Sequence, residues 1–529
     1  MSAEQHQSAP AGGTPAHAAG GLSARRAWLL GLVFAAAVYL PTMAPGLLWG
    51  DSGDAQIRVL LGQFRDTGAI ARSHPTYYAV AWSLYRALHV DAAWAANLVS
   101  ALAGVITVAN FAWLAACFVR RRLALACAVA LLTLSHTLWQ LAAVAEVMTF
   151  STMCLSFELI CVVCFARTGR LGWLVLVGLA NGVGWSTHNF ALLTWPAYVV
   201  LAARRWKTIP TPRVRSLVAT AAAWVVGCVP LLLLAVAEYR EANALAETAR
   251  SIFLGRHAQD VLNTTISANL VLRLVAYVGL NFPTPLILLA VPGWWRLRRA
   301  GSSGTWLFFT VAGATFLVFA ARYSVPDQYT FLVHSYVFAA LFAAVGLDWW
   351  LERYGSLPVR VVVVLLSIVG PVVYAAAPSL AARFAGGSPS VVLRHIRYRE
   401  PYRWFLTPWR TGYDGAERYA REVFALLPPE AVLFIDTTPR RPLEYLQQRD
   451  ALRRDVRLVN PKYPQPWWDR PRIRVHNVGP YIEQGLVYSA SDRPGYVPKW
   501  AAKAGYRYVP VGCLFRVELP EGAPSEGDE

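Results

Sequence analysis

Between residues 27 and 378 the chain repeats apolar runs of about 18–25 residues, the length that crosses a bilayer core as a helix. Counting them gives about eleven spans: 27–44, 93–119, 123–140, 147–166, 171–187, 189–203, 216–237, 269–292, 304–321, 331–350 and 358–378. Residues 379–520 have the composition of an ordinary soluble domain. The expected architecture is an all-α polytopic membrane domain over 25–378, followed by a C-terminal soluble α/β domain over 379–520. Residues 1–24, rich in Ala, Gly, Ser and His without periodicity, read as a disordered tail, as does the acidic stretch 521–529. The first run is expected to be a retained helix rather than a cleaved signal peptide, because it is long and lacks a small-x-small site before Trp49.

Charge placement orients these spans. Only 15% of residues are charged, against about a quarter in soluble domains, and the net charge is +18. Many basic residues sit in short loops between apolar runs, which excludes nucleic acid as the partner and makes the bilayer itself the partner. Arg120-Arg121-Arg122, Arg167 with Arg170, Arg204-Arg205-Trp206-Lys207, Arg296 with Arg298-Arg299, and Arg353 with Arg360 all fall on the side of Arg25 and Arg26. The positive-inside rule makes that side cytoplasmic, N-terminus included. The opposite face then receives the Asp51 loop, the turn His136 to Glu146, His188, the loops 238–268 and 322–330, and the C-terminal domain. Residues 76–88 read as a short amphipathic helix along that outer surface.

In the C-terminal part, Arg394 to Arg410 is basic and aromatic, suited to a headgroup-level surface. Gly415 to Leu427 reads as a helix, 431–436 as a buried strand, Pro442 to Asp450 as a helix and 455–460 as a strand. Six of the seven cysteines lie in apolar runs, where Cys161 and Cys164 read as packing residues, and Cys513 stands alone. No disulfide framework is expected.

Polar chemistry is scarce, so its clusters are informative. Trp49-Gly50-Asp51-Ser52-Gly53-Asp54 leaves the first span, with Arg72-Ser73-His74-Pro75 about twenty residues on. Asp51 and Asp54 share one face of a helical turn, where a carboxylate can act as general base toward a hydroxyl; the plain alternative is capping of a helix 54–64. Glu146 is an acid in otherwise apolar sequence at a helix end, either functional or an interfacial residue facing water. His136 could bind phosphate or pack. His188 could do the same or be a buried hydrogen-bonded residue. Arg322 could pair with a phosphate that Asp327 orients, or Asp327 could cap the next helix. Asn263-Thr264-Thr265 is a glycosylation sequon. The sequence has no Gly-rich phosphate loop, no zinc-ligand spacing and no nucleophile elbow, so neither a metal nor another cofactor is expected.

Gly50-Asp51-Ser52-Gly53-Asp54 with His74-Pro75, Trp139-Gln140 with Ala145-Glu146-Val147, Gly184 to His188, Val325-Pro326-Asp327-Gln328, Gly412 to Gly415, Pro442 to Gln447 and Asp455 to Asn460 together resemble the DUF2723 family. This family of bacterial membrane proteins includes animal protein O-mannosyltransferases and is similar to the GT-C glycosyltransferases. The resemblance implies a GT-C-like membrane fold in the bacterial inner membrane, with the C-terminal domain periplasmic. It implies a polyprenyl-phosphate-sugar donor, a protein or glycan acceptor, and Asp51 as catalytic carboxylate. Asp54 stands where the family usually has Glu, and His74 and Glu146 fall in the same cavity. Two motifs depart from the family: His74-Pro75 runs into Thr76-Tyr77-Tyr78, and Ile435 to Arg440 replaces a Gly-Asp-Asn-Asp-like run. The reading that follows is transfer of a hexose, such as mannose, to a hydroxyl at the outer face. Asp51, Asp54 and Glu146 would be catalytic, and Arg72, His74, His136, His188, Arg322 and Asp327 would contact substrate. A transporter or flippase using intramembrane acids is the rival from another class, and an envelope scaffold the third.

Overall fold

The computed structural model describes residues 22–66, 68–254, 267–300, 303–323, 325–384, 396–460, 475–493 and 505–520. The sequon at 263–265, the basic pair Arg394-His395, the acidic tail and nearly all of the N-terminal tail lie outside the described residues.

Each expected apolar segment is helical, but six described helices are single elements long and apolar enough to cross a membrane. They include α1 (Ala24–Thr42), α4 (Ala92–Ala116) and α7 (Val147–Thr168), and the later helices Arg213–Ala242, Ser303–Arg322 and Val333–Tyr354. Three further segments are bent pairs, among them α5 (Arg122–Thr133) with α6 (His136–Ala142) at 59° and Ala268–Asn281 with Pro285–Arg299 at 109°. Counting each pair as one span gives nine. The sequence reading of about eleven spans counts more apolar segments than the described helices that reach spanning length, singly or as bent pairs. Segment 189–203 divides into a 3-10 turn, Asn189–Thr194, and an 11-residue helix, Trp195–Arg205. Helix α8 (Leu171–Thr187) has 17 residues, roughly 26 Å at ~1.5 Å per residue, just short of the ~30 Å core.

Helices α4 and α7 form the centre, and Arg213–Ala242 lies at the periphery with Val214, Val226 and Leu233 exposed, as a lipid-facing helix requires. Small residues set the close crossings. A Cβ on Gly182 of α8 would stand 2.2 Å from the Trp224 carbonyl oxygen, so only glycine permits that approach. Between the first spans lie two further elements, α2 (Gly50–Leu61) and α3 (Pro75–Leu88); the latter covers the expected helical stretch 76–88.

The C-terminal domain carries a five-stranded mixed sheet. Its strands are β1 (Val432–Phe434), β2 (Arg457–Val459), β3 (Val487–Ser489), β4 (Arg507–Val511) and β5 (Leu514–Glu518), in the order β2-β1-β3-β5-β4. β1 runs parallel to β2 and β3, in register Val432↔Arg457 and Val432↔Val487, while β5 is antiparallel to β3 and β4. The expected strand–helix–strand order holds, although the helix begins five residues early, at Thr437–Arg449, because Asp436 caps it through the Thr438 N–H. Its Tyr445 hydroxyl donates to Asp91, the residue that caps α4, and Arg449 pairs with the same carboxylate at 3.0 Å. The Arg410 N–H donates to the Thr42 carbonyl at the end of α1. The domain is thus bolted directly to the end of α1 and the start of α4.

Candidate active site

The loop leaving α1 is held by two amides, Asn97 of the apolar helix α4 and Gln56 of α2. Asn97 Nδ2 donates to the carbonyls of Ala44 (3.0 Å) and Gly46 (2.9 Å). Gln56 accepts from the Leu48 N–H at 2.9 Å and donates to Asn97 Oδ1 at 3.0 Å. Both side chains are fully buried, and an amide without partners there would be costly, so the pair clamps the loop in one shape. The clamp delivers Gly50, at φ +57°, to the start of α2.

Asp51 and Asp54 therefore lie inside α2, not ahead of it, and neither caps it: the N-cap is Trp49, with no side-chain cap. The two differ sharply. Asp54 pairs with Arg441 of the C-terminal helix at 2.6 Å. Burial pushes the Asp54 carboxyl above its usual range, while Arg441 and Arg58 pull the other way. Asp51 is exposed and, among the described residues, makes no hydrogen bond or ion pair. Its field is nevertheless felt by two other acids. Burial, then Asp51 and Asp327, push Glu146 up to about 8; burial and Asp51 push Asp327 up to about 6. Three acids drawn from α2, the start of α7 and the loop before Gln328–Phe331 thus lie within electrostatic reach of one another.

Glu146 is the N-cap of α7, its Oε1 accepting from the Met148 N–H at 3.3 Å, and its own N–H and carbonyl are both bound by the Ser100 hydroxyl. Asp327 occupies an N-cap position without making the side-chain bond. Arg322 closes Ser303–Arg322 on the same side, and its buried Nη1 has no hydrogen-bond partner among the described residues.

The remaining expected residues are placed differently. His74, at φ +48°, bonds through Nδ1 to the Thr187 carbonyl at 2.7 Å and stacks on His188 at 5.2 Å. Burial, with Arg58, holds His74 down at about 3, so it is neutral at pH 7 and contributes no positive charge to a phosphate. His188 accepts from the Phe190 N–H and is held well below its usual value by burial and His74. His136 is fully buried in an aromatic box of Tyr374, Phe405 and Tyr329, with ring centroids 5.3–6.5 Å away, and does not open onto the acids. Arg72 is half exposed and 3.9 Å from Asp66. No group of three His, Cys, Asp or Glu among the described residues is arranged to hold a metal ion.

Searches with the chain match no protein-family model. They match no curated protein either. Among solved structures, ArnT from Cupriavidus metallidurans in the apo state superposes with a TM-score of 0.57 at 16% identity, covering 94% of this chain and 98% of that one. ArnT from the same organism bound to undecaprenyl phosphate gives 0.56 at 15% identity, over 92% and 97%. The chain has the ArnT fold.

That fold accounts for the expected GT-C-like architecture, with its helical membrane part and small C-terminal sheet. Within it, several residues of the site carried no signal of their own. Arg58, only 6% exposed, donates to the carbonyls of Gln63, Phe64, Arg72 and Ser73 and lies 4.0 Å over the Tyr78 ring, so it shapes the whole loop before α3. A buried arginine in an amphipathic stretch was the one available hint. Arg441 could not be found from sequence, because its partner lies at the far end of the chain. Beside α2, Trp49 Nε1 donates to the Tyr413 hydroxyl, which lines an outer pocket of about 450 Å³ rimmed by Trp404, Trp409 and several arginines.

Proposed function

We propose that the chain is an integral membrane glycosyltransferase. It moves a sugar from a polyprenyl-phosphate-linked donor to a hydroxyl acceptor at the face bearing Asp51. The observation that carries this is the contrast on α2: one carboxylate neutralised by Arg441, and one exposed and unpaired beside two acids of raised pKa. The undecaprenyl phosphate bound by ArnT, on the same fold, supports the donor class. The motifs shared with the DUF2723 family support a hexose such as mannose, a protein or glycan acceptor, and a multi-pass enzyme of a bacterial inner membrane with its C-terminal domain outside.

In this mechanism Asp51 takes the acceptor proton as the hydroxyl attacks the anomeric carbon, and the sugar–phosphate bond breaks with inversion. The leaving phosphate gains charge, so its ligands stabilise the transition state more than the ground state. Arg322, with its unpartnered Nη1, is the principal phosphate ligand, and Arg72 is an outer one. Protonated at neutral pH, Glu146 spares the phosphate a like-charge repulsion and can donate a hydrogen bond, whereas Asp327, raised only to about 6, is mostly ionised there. Asp54 positions α2. The His74–His188 stack forms a neutral wall, and His136 holds α6 against Tyr374 and Phe405.

The transporter reading would need an intramembrane acid open to an ion. Glu158 of α7 is such an acid, but it is closed in by Asn181 (3.2 Å) and the Tyr198 hydroxyl. Asn181 in turn accepts from Trp195 and Trp224, so the group behaves as a satisfied packing network.

The experiment is sugar transfer from a labelled polyprenyl-phosphate-hexose in reconstituted membranes, wild type against Asp51→Asn. Loss of transfer with normal insertion supports the reading. Undiminished transfer removes Asp51 as the base.

A further inference from the structure

At the end of the membrane domain opposite Asp51, four guanidinium groups line one cavity of about 550 Å³. Arg120 follows α4, Arg167 ends α7, Arg205 ends Trp195–Arg205, and Arg296 belongs to Ala290–Ala300. Asn97, near the start of α4, binds the Asp51 loop, whereas Cys117, just past its end, lines this cavity. Asn97 and Cys117 lie 20 residues apart along α4, roughly 30 Å at ~1.5 Å per residue.

A surplus of arginine at one end of a membrane protein is ordinary, and such side chains normally reach singly into water. Two of these are held instead. Arg167 donates to the Cys117 carbonyl at 2.9 Å and lies 5.8 Å over Phe118. Arg296 lies 5.8 Å over Trp349. Two carboxylates also line the cavity, but both are partly committed. Asp348 accepts from the Arg121 N–H at 2.8 Å, and Glu352 is shared between Arg121 and Arg296, each at 3.8 Å, beyond hydrogen-bond range. Among the described residues, Arg120 and Arg205 have no carboxylate partner. Four guanidiniums against two partly committed acids leave net positive charge lining a space that the described residues do not fill.

We propose that this cavity binds a phosphate ester. Forked guanidiniums match phosphate oxygens two at a time, and anchoring by aromatic faces and a backbone carbonyl lowers the entropy lost on binding. The same chemistry is offered by the headgroup of an anionic lipid in the adjoining leaflet and by a soluble phosphate. The site is independent of the sugar-transfer reaction.

The test uses the full chain in nanodiscs. Native mass spectrometry counts lipid retained from phosphatidylglycerol against phosphatidylcholine discs, and thermal unfolding in phosphatidylcholine discs is followed with added inorganic phosphate or ATP. Preferential phosphatidylglycerol retention assigns a lipid headgroup; a phosphate- or ATP-induced rise in Tm assigns a soluble ester. In either case Arg167→Gln with Arg205→Gln should weaken binding about tenfold, from the loss of charged hydrogen bonds. Arg167→Lys with Arg205→Lys, which keeps charge without the fork, should weaken it less, and Arg353→Gln, outside the cavity, should leave it unchanged. The proposal is overturned if neither ligand binds, or if both double variants bind as wild type or fall no further than Arg353→Gln.

Discussion

Asp51 and Asp54 sit one turn apart on α2, with the same side chain, and have opposite fates. Asp54 is drawn into the contact between the membrane and C-terminal domains, where Arg441 neutralises it. Asp51 is left open, close enough to Glu146 and Asp327 to raise both. The difference comes not from local sequence but from what packs on each face of the helix. A Cβ on Gly53 would stand 2.7 Å from Arg441 Cβ, so the helix Thr437–Arg449 presses on the Asp54 side and leaves Asp51 exposed. The lesson is that a pair of acids read as a unit can divide into one chemical and one architectural residue.

The contrast is broken most directly at Asp51. Asp51→Asn should lower transfer by roughly 10²–10⁴-fold, the usual contribution of a general base, with insertion and Tm unchanged; labelled-donor turnover measures it. If Asp54→Asn cost as much with no loss of Tm, the division would collapse. Arg322→Gln should come next, raising the KM for the lipid-linked donor about tenfold for the loss of one charged hydrogen bond, while Arg72→Gln should change it less than about threefold.

At Arg441 the effect is positional. The pair is about a quarter exposed, between the surface and buried limits, so Arg441→Gln should cost about 1–2 kcal/mol in thermal unfolding. Arg441→Gln combined with Asp54→Asn should cost less than Arg441→Gln alone, because no uncompensated carboxylate is left. Equal costs would show that the contact is packing alone.

The smallest effect is in pH dependence. Glu146 is held protonated up to about 8, against 4.5 ordinarily. Between those values the folded chain keeps a proton that the unfolded chain has lost, so this group makes stability fall as pH rises through that window. The same ionisation adds a negative charge where the donor phosphate binds. Transfer by the wild type should therefore decline above pH 8, and Glu146→Gln should flatten both profiles; a retained alkaline limb in that variant would assign it to another group.

Much of the membrane domain was legible, because a run of 18 or more apolar residues has few other fates. The breaks were not. Hydropathy averages across Leu134-Ser135, where α5 meets α6, and across Pro283-Thr284, where the chain turns by 109°. Asp51, Glu146 and Asp327 stood out as acids in apolar surroundings. Asn97 and Gln56 did not, since an amide in a helix means little until the carbonyls it clamps are known. Strands β3, β4 and β5 were missed because three to five residues of half-buried sequence carry too short an alternation to recognise.

The contact between Gly53 and Arg441 has a temporal consequence. Helix α2 is synthesised near the beginning of the chain, but the residue that settles its second acid arrives only after every span has been inserted. A nascent chain halted before Thr437 carries Asp51 and Glu146 yet leaves Asp54 without its ion-pair partner and one side of α2 bare. The surroundings of Asp54 are thus completed late in synthesis, by a helix made long after α2 itself.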